Sequence, residues 1–482
     1  MAERTLVWRD ELGRWLKPFL ARLGHKARRQ MCPLYVSGLI GPGDRKSVQP
    51  MAQRIALGDY DQLHHFIAGG VWDSEPVETE LLVQADKLVG GGDAVLVIDD
   101  TAIPKKGTHS VGVAPQYASA LGKTANCQTM VSLTLARGEV PVMLALRLFL
   151  PESWTSNRAR QERAGVPAEY RTARTKPQIA LAEIDRATAA GVRFGCVLAD
   201  AGYGLSAPFR HGLTVRKLAW AVGIPRHLKV YPANVQMVWP VARRGRPRQR
   251  HIPDVLSIPA EDMLAQAKWR AVSWRTGTKG KLKARFAAVR VRVADGPPQR
   301  IGDKGQQHLP GEEAWLIGEH RMSGEKKYYL AKLPAKTDLR TLAATIKARW
   351  ICEQAHQQLK EELGLDHFEG RSWQGLHRHA LMTMIAYAFL QHPPARKSET
   401  GKKESTVRRL NRPCQPCARS SSNSSPAHHS SVARIAENGL ATSSGVSKSA
   451  KVVLVSVAKL VDFELGQVSY ADFIGITVLP CG

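Results

Sequence analysis

Two short apolar runs, each ending abruptly on an aspartate, limit this chain more than any other feature. Ala94 to Ile98 stops at Asp99-Asp100-Thr101, and Val192 to Ala199 stops at Asp200-Ala-Gly-Tyr-Gly. Runs of this length, rich in β-branched residues, read as buried strands. Between them lie two more strand-like runs, Cys127 to Ala136 and Pro141 to Leu150, joined at Gly138, and a helix-like stretch from Lys176 to Ala190. Asp99 therefore closes the first strand and Asp200 the fourth. In an open α/β sheet whose first and fourth strands are neighbours, the two carboxylates meet at one edge. Adjacent carboxylates repel each other, and a divalent cation relieves the repulsion; Mg²⁺ prefers such hard oxygen ligands. Taken singly, each strand-end aspartate serves equally well as a turn or helix cap.

The rest of the chain divides around this core. Residues 1–88 carry apolar residues at helical spacing from Glu11 to Leu23 and from Val48 to Ile67, with basic clusters at Lys26-Ala-Arg-Arg and Arg45-Lys-Ser. They read as a helical N-terminal domain that either contacts DNA or simply caps the core. Residues 89–224 form the first part of the core, and Phe209 to Leu218 and Ala219 to Ile224 add a helix and a short strand. Residues 225–335 alternate strand-like runs (Ala287 to Val293, Ala314 to Gly318, Tyr328 to Leu333) with Gly, Pro and basic residues, the pattern of a β-rich insertion. Residues 336–392 return to helix: one long helix capped by Thr337 or Asp338 and running to about Leu363, then an apolar one from Gly375 to Leu390. After Pro393-Pro394 periodicity fades into Ser-rich sequence, so 393–482 reads as a disordered tail or the product of a shifted reading frame.

The long helix carries a third acid. At ~100° per residue, Arg349, Glu353, His356 and Lys360 share one narrow stripe, flanked by the apolar Trp350, Ile351 and Leu359. An exposed helix face shows the same Arg–Glu pairing. A carboxylate between two cations also suits a place where metal and phosphate meet. Asp99 and Asp100 compete for the first metal-ligand position, and strand alternation sends their side chains to opposite faces, so both cannot serve equally.

These stretches resemble the DDE transposases of bacterial insertion sequences, which share a ribonuclease-H-like fold. One branch of that family carries Tyr-x2-Arg-x3-Glu-x6-Lys on the third-carboxylate helix. Arg349, Glu353 and Lys360 match its spacing, with Ile346 where the Tyr would stand. The runs Ile98-Asp-Asp-Thr-Ala-Ile-Pro-Lys-Lys-Gly, Leu198-Ala-Asp-Ala-Gly-Tyr-Gly and Gln357-Gln-Leu-Lys-Glu-Glu-Leu-Gly-Leu-Asp-His-Phe-Glu-Gly-Arg are similar to the family as well, and the resemblance covers roughly residues 5–392. It implies a ribonuclease-H-like mixed sheet flanked by helices, interrupted by a β-rich insertion before the last catalytic helix. It further implies metal-dependent cleavage at element ends and strand transfer into target DNA. Asp99, Asp200 and Glu353 would be both catalytic residues and Mg²⁺ ligands, with Mn²⁺ as a substitute. The family's pattern of Asp-x-Thr/Ser after the strand fits Asp99 with Thr101 and leaves Asp100 in reserve. Arg349 and Lys360 would contact phosphates, and His356 on the same face either contacts DNA or makes a structural hydrogen bond. The implied partners are double-stranded DNA, both terminal inverted repeats and target, and a second copy of the chain bound to DNA. The alternative is a catalytically inactive DNA-binding remnant of such an enzyme.

Charge agrees with a polyanionic partner. Lys and Arg total 69 against 42 Asp and Glu, a formal net charge of +27. Lys105 and Lys106, just past the first carboxylate, are placed for backbone contacts. Arg244, Arg246 and Arg248, within Arg243-Arg-Gly-Arg-Pro-Arg-Gln-Arg, resemble a minor-groove hook or a non-specific phosphate-binding loop. Seven scattered cysteines point to reduced thiols and a cytoplasmic protein, which the DNA partner implied by the resemblance would place on the nucleoid, and no stretch reaches the 18 or so apolar residues of a membrane span. Cys414 and Cys417 with His428 and His429 make only a weak zinc pattern.

Overall fold

Six strands carry the core: β1 (Val95–Pro104), β2 (Ala114–Ala118), β3 (Lys123–Arg137), β4 (Val140–Leu148), β5 (Cys196–Ala199) and β6 (Trp220–Ile224). A computed structural model describes residues 2–56, 58–118, 121–240, 250–277, 280–301 and 305–392. β1 runs parallel to β5 and β5 parallel to β6, while β3 lies antiparallel on the other side of β1 and pairs in turn with β2 and β4. The sheet is therefore mixed, and the strand carrying Asp99 adjoins the strand ending before Asp200; β1 does not stop at Asp99, however, but runs on to Pro104 along β3, so this aspartate lies inside a strand rather than at its end. The short β2 escapes the sequence reading, so the second aspartate follows the fifth strand in chain order. The turn between β3 and β4 holds Gly138 at φ +61°, in the left-handed region that favours glycine.

The longer strands of 225–335 join this same sheet, while Met237–Val238 with Ile252–Pro253 and Pro298–Arg300 with Gln306–His308 make two small sheets of their own. Lys326–Lys332 pairs antiparallel with β6, Glu313–His320 pairs with Lys326–Lys332, and Gly280–Val293 comes next. Arg270–Gly277 then folds back on Gly280–Val293 as a ribbon. The result is a mixed α/β structure with one large sheet and helices packed against it. Arg244, Arg246 and Arg248 lie outside the described residues, as do the Cys414–Cys417 pattern and all of 393–482.

Five helices precede the sheet: α1 (Ala2–Arg22), α2 (Lys26–Ile40), α3 (Val48–Ile55), α4 (Tyr60–His64) and α5 (Glu75–Val89). The helix expected from Val48 to Ile67 is broken, because Gly58 sits at φ +89° between α3 and α4, and His65–Gly69 winds into a π turn. The buried Arg378 donates to the carbonyls of Gly70 and Trp72 (2.6 Å each) and of Ile67 (3.3 Å), satisfying acceptors that the broken helix leaves behind. It comes from Trp373–Gln391, a helix buried along nearly its whole length between the N-terminal helices and β4. Among the described residues no helix is long and apolar enough to cross a membrane.

The one long helix expected after 336 is two: Leu339–Lys347, capped by Asp338, and Trp350–Glu361. Neither Pro nor Gly marks the break. The chain tightens there into i→i+3 bonding, with the Ile351 and Cys352 amides donating to the Ala348 and Arg349 carbonyls.

Two buried histidines make the fold sensitive to acid. Gly364 O and Trp373 O can only accept, so His379 Nε2 and His377 Nδ1 carry the ring protons. The other nitrogens then accept, His379 Nδ1 from the Tyr35 hydroxyl at 2.8 Å and His377 Nε2 from the Leu148 amide at 3.4 Å. A second proton would set donor against donor. Burial lowers both rings to about 4. A folded-state value below the unfolded one means that protons bind preferentially to the unfolded chain between pH 6.5 and 4, so stability falls as the medium is acidified through that window. Each ring contributes up to ~1.4 kcal/mol per pH unit. Thermal melts between pH 7.5 and 5 will show this slope, and His379→Gln, which cannot titrate, will make it shallower by one ring's share; an unchanged slope in that variant would assign the effect elsewhere.

Candidate active site

The parallel register of β1 and β5 pairs Ile98 with Ala199, so Asp99 and Asp200 leave the ladder side by side. Asp200 turns at once into the short helix Ala201–Gly204 and caps it, Oδ1 accepting from the Tyr203 amide at 3.2 Å. The Ala-Gly-Tyr-Gly sequence is a matter of space: a Cβ on Gly204 would stand 1.8 Å from the carbonyl oxygen of Gly223 in β6. The helix is pressed against its neighbouring strand, which fixes the height of Asp200.

Asp99 is held from several directions. Arg349 Nη1 donates to Oδ2 at 2.7 Å and the Cys352 thiol to the same oxygen at 3.1 Å, while the Asp100 amide donates to Oδ1 at 2.8 Å. Ser132, its register partner in β3, donates to the Asp99 carbonyl at 3.0 Å, and His356 Nε2 lies 2.8 Å from the Ser132 hydroxyl. The other end of the Arg349 guanidinium reaches Glu353 Oε1 at 2.6 Å. One arginine thus joins the first-strand acid to the helix acid. The break at Ala348–Arg349 starts a new helix at this point, with Arg349 as its N-cap residue.

These contacts set opposite acidities on neighbouring groups. Burial alone would raise Asp99, but the Arg349 charge, with His356 and the Cys352 thiol, holds it below the usual carboxylate range. Asp200 lacks a guanidinium contact of that kind, and withdrawal from water together with the Asp99 charge pushes it up to about 6. Two adjacent carboxylates sharing too little positive charge form a hard-oxygen donor pair that a divalent cation would relieve. Among the described residues no three His, Cys, Asp or Glu side chains are grouped closely enough to hold a metal, and Arg349 stands between Asp99 and Glu353.

Asp100 points the other way, as strand alternation requires. Tyr203 donates its hydroxyl to Oδ1 and Lys176 its ammonium to Oδ2, both at 2.5 Å. Burial still lifts its pKa, against the Lys176 charge. The acid on the Glu353 side is therefore Asp99. Tyr203 braces both aspartate segments, its amide on Asp200 and its phenol on Asp100. We expect Tyr203→Phe to lower the turnover of DNA cleavage several-fold while leaving DNA affinity and melting temperature near wild type; equal turnover would show the brace to be dispensable.

The other sequence candidates fall in different places. His356 is buried on Ser132. Lys360 is half-buried four residues on, its pKa lowered by burial against the pull of Asp366. Lys105 donates to the main-chain carbonyls of Phe368 (2.6 Å) and Asp366 (3.4 Å), tying the loop after β1 to the loop after the Trp350–Glu361 helix. Lys106 is exposed. Cys352, Ser132, Lys176 and Tyr203 escaped the sequence reading. Cys352 adjoins Glu353 and Tyr203 sits in the Asp200 turn, so proximity in sequence could have found both; Ser132 and Lys176 reach the site only through strand register and tertiary packing.

Residues 18–281 match the family described as DDE superfamily endonuclease, a span that includes Asp99 and Asp200 and ends before Glu353. A probable transposase for insertion sequence element IS701 from Microchaete diplosiphon is 30% identical over 205 residues, 42% of this chain. The chain spans 50% of the length of that relative. A solved piggyBac transposase synaptic complex with hairpin DNA aligns with 75% of this chain and 64% of its own, at 10% identity and a TM-score of 0.37. With more than half of its residues matched by one family, in a span that includes Asp99 and Asp200, the chain belongs to the DDE superfamily of endonucleases.

Proposed function

We propose that this endonuclease is an insertion-sequence transposase that cuts DNA at the ends of its element and joins the freed ends to target DNA. The observation that carries the reading is the adjacency of Asp99 and Asp200 on paired strands, with one arginine, Arg349, bonded to both Asp99 and Glu353. Parallel β1, β5 and β6 with antiparallel β3, β2 and β4 beside them support a ribonuclease-H-like core in 89–224, completed by 336–392 and interrupted by 225–335. The helices of 1–88 would serve as a DNA-binding domain, and the chain would act as a homodimer bridging two element ends, in the cytoplasm on the nucleoid. The IS701 likeness supports the same activity.

Asp99, Asp200 and Glu353 would hold Mg²⁺, or Mn²⁺ in its place, once Arg349 gives way between Asp99 and Glu353; their oxygen donors and the raised pKa of Asp200 suit a hard divalent ion. The bound metal would supply activation of the attacking oxygen and stabilisation of the departing one. The chain itself does the positioning. Arg349 holds Asp99 and Glu353 in fixed relation, Cys352 and Ser132 fix the orientation of Asp99, and Lys360 and exposed Lys106 would contact the phosphate backbone. Arg349 would turn toward DNA phosphate once other positive charge satisfies the carboxylates.

The test is cleavage of duplexes carrying the DNA that flanks the coding sequence, in Mg²⁺. Wild type should cut and join, while Glu353→Gln should do neither yet bind the same duplexes. Cleavage by Glu353→Gln at the wild-type rate would remove Glu353 from the site. Binding without cleavage by wild type would leave a DNA-binding remnant.

A further inference from the structure

We infer that the sheet face around the Arg270–Gly277 and Gly280–Val293 ribbon is a second, sequence-independent contact for duplex DNA, made by Lys281, Lys283, Arg285 and Lys326. The inference rests on the transposase reading and concerns residues outside the candidate active site. Side chains alternate along Gly280–Val293: Ala284 and Phe286 are buried, while Lys281, Lys283 and Arg285 are exposed. Directly paired residues share a face, so Thr276 and Ser273 accompany Lys281 and Lys283. On the other edge Arg285 pairs with His320, and His320 with exposed Lys326. Four cations therefore stand on one face, and none of them has an ion-pair partner among the described residues.

The spacing fits a regular polyanion. Alternate strand residues lie about 6.8 Å apart at ~3.4 Å per residue, twice the ~3.4 Å axial repeat of phosphates along one DNA strand. Arg285 and Lys326, two strands apart, are separated by roughly 10 Å. Ser and Thr hydroxyls on the same face are ordinary donors to phosphate oxygens. The opposite face is anchored. Phe286 packs edge-on against Trp274 at 5.6 Å, Lys347 lies over Trp274 at 5.1 Å, and Arg275 lies over Trp350 at 4.0 Å and pairs with Glu139 at 3.1 Å. Trp350 opens the helix that carries Glu353. The ribbon is thus fixed to the catalytic helix layer while its charged side faces away from it. Arg275 spends its charge on the anchor and belongs to neither contact.

The test is binding of the full chain to a random-sequence duplex at several salt concentrations, by fluorescence anisotropy. The slope of log affinity against log salt should become shallower by about 0.9 for each phosphate contact removed, so about 2.7 for Lys281→Ala/Lys283→Ala/Arg285→Ala. The charge-keeping variant Lys281→Arg/Lys283→Arg/Arg285→Lys should keep the wild-type slope. Melting temperatures of both should match wild type, because the altered side chains are exposed. An unchanged slope in the alanine variant overturns the contact, as does a loss seen with duplex RNA but not with DNA. If wild type itself shows no salt-dependent duplex binding, the transposase reading falls too; if it binds and the variants match it, only this surface falls.

Discussion

Asp200→Asn will sharply reduce DNA cleavage and, in chelator, make the protein more stable. The two effects have one cause. Asp200 is the carboxylate that the fold leaves short of positive charge, raised to about 6 by withdrawal from water and by the Asp99 charge. A folded-state value above the unfolded one means that the ionised group opposes folding, and the cost grows as pH rises from about 3.8 through 6 and then levels off. A shift of about two units corresponds to at most about 3 kcal/mol. Asparagine removes the charge and keeps the cap on Ala201–Gly204, since it caps helices as well as aspartate does. At pH 7.5 in EDTA the variant should melt higher than wild type. Adding Mg²⁺ should raise the wild-type melting temperature and leave the variant unmoved, while cleavage falls by a factor on the order of 10³, the several kcal/mol that a metal contributes to such a reaction. A variant that melts lower than wild type in EDTA, or that still gains stability from Mg²⁺, would take Asp200 out of the metal site. Function maintained at the expense of stability is the usual signature of such a position.

The sequence makes one half of this site readable and hides the other. Asp99 and Asp200 stand out because each follows a short buried apolar run, which is visible without any structure, even though β1 continues past Asp99 to Pro104. Their adjacency follows from the sheet, although the unforeseen β2 changes the count. Asp99 rather than Asp100 faces the helix because alternation leaves no other arrangement once Tyr203 and Lys176 occupy the far side. The break at Ala348–Arg349 is not readable. No Pro or Gly marks it, and helix propensity favours continuation; it arises where the new helix begins beside Asp99 and Trp350 meets Arg275. Ser132 is invisible for a different reason: a serine mid-strand gains its role from strand register, which local sequence does not encode. The strands of 225–335 are legible as strands, but their continuity with β6 depends on long-range pairing.

Arg349→Met will be the most destabilising single change at the site, and the loss will be electrostatic. The guanidinium is mostly buried, its side chain 19% exposed, and it bonds Asp99 at 2.7 Å and Glu353 at 2.6 Å. Methionine fills similar space, so packing is largely kept. What remains is a carboxylate at Asp99, side chain 14% exposed, beside Asp200 and without its main counter-charge. Removing one partner of a buried pair costs about 3–5 kcal/mol, whereas removing both is often close to neutral. Asp99→Asn/Arg349→Met should therefore recover much of the stability lost by Arg349→Met alone, and denaturant melts of the two single variants, the double variant and wild type will give the coupling directly. Magnesium adds a second reading, because a cation held by Asp99 and Asp200 would restore the missing charge and raise the melting temperature of Arg349→Met more than that of wild type. If the double variant is no more stable than Arg349→Met, the arginine stabilises by packing and the link from Asp99 to Glu353 is incidental. If the coupling is present but magnesium rescues nothing, the carboxylates are paired for structure and the metal lies elsewhere.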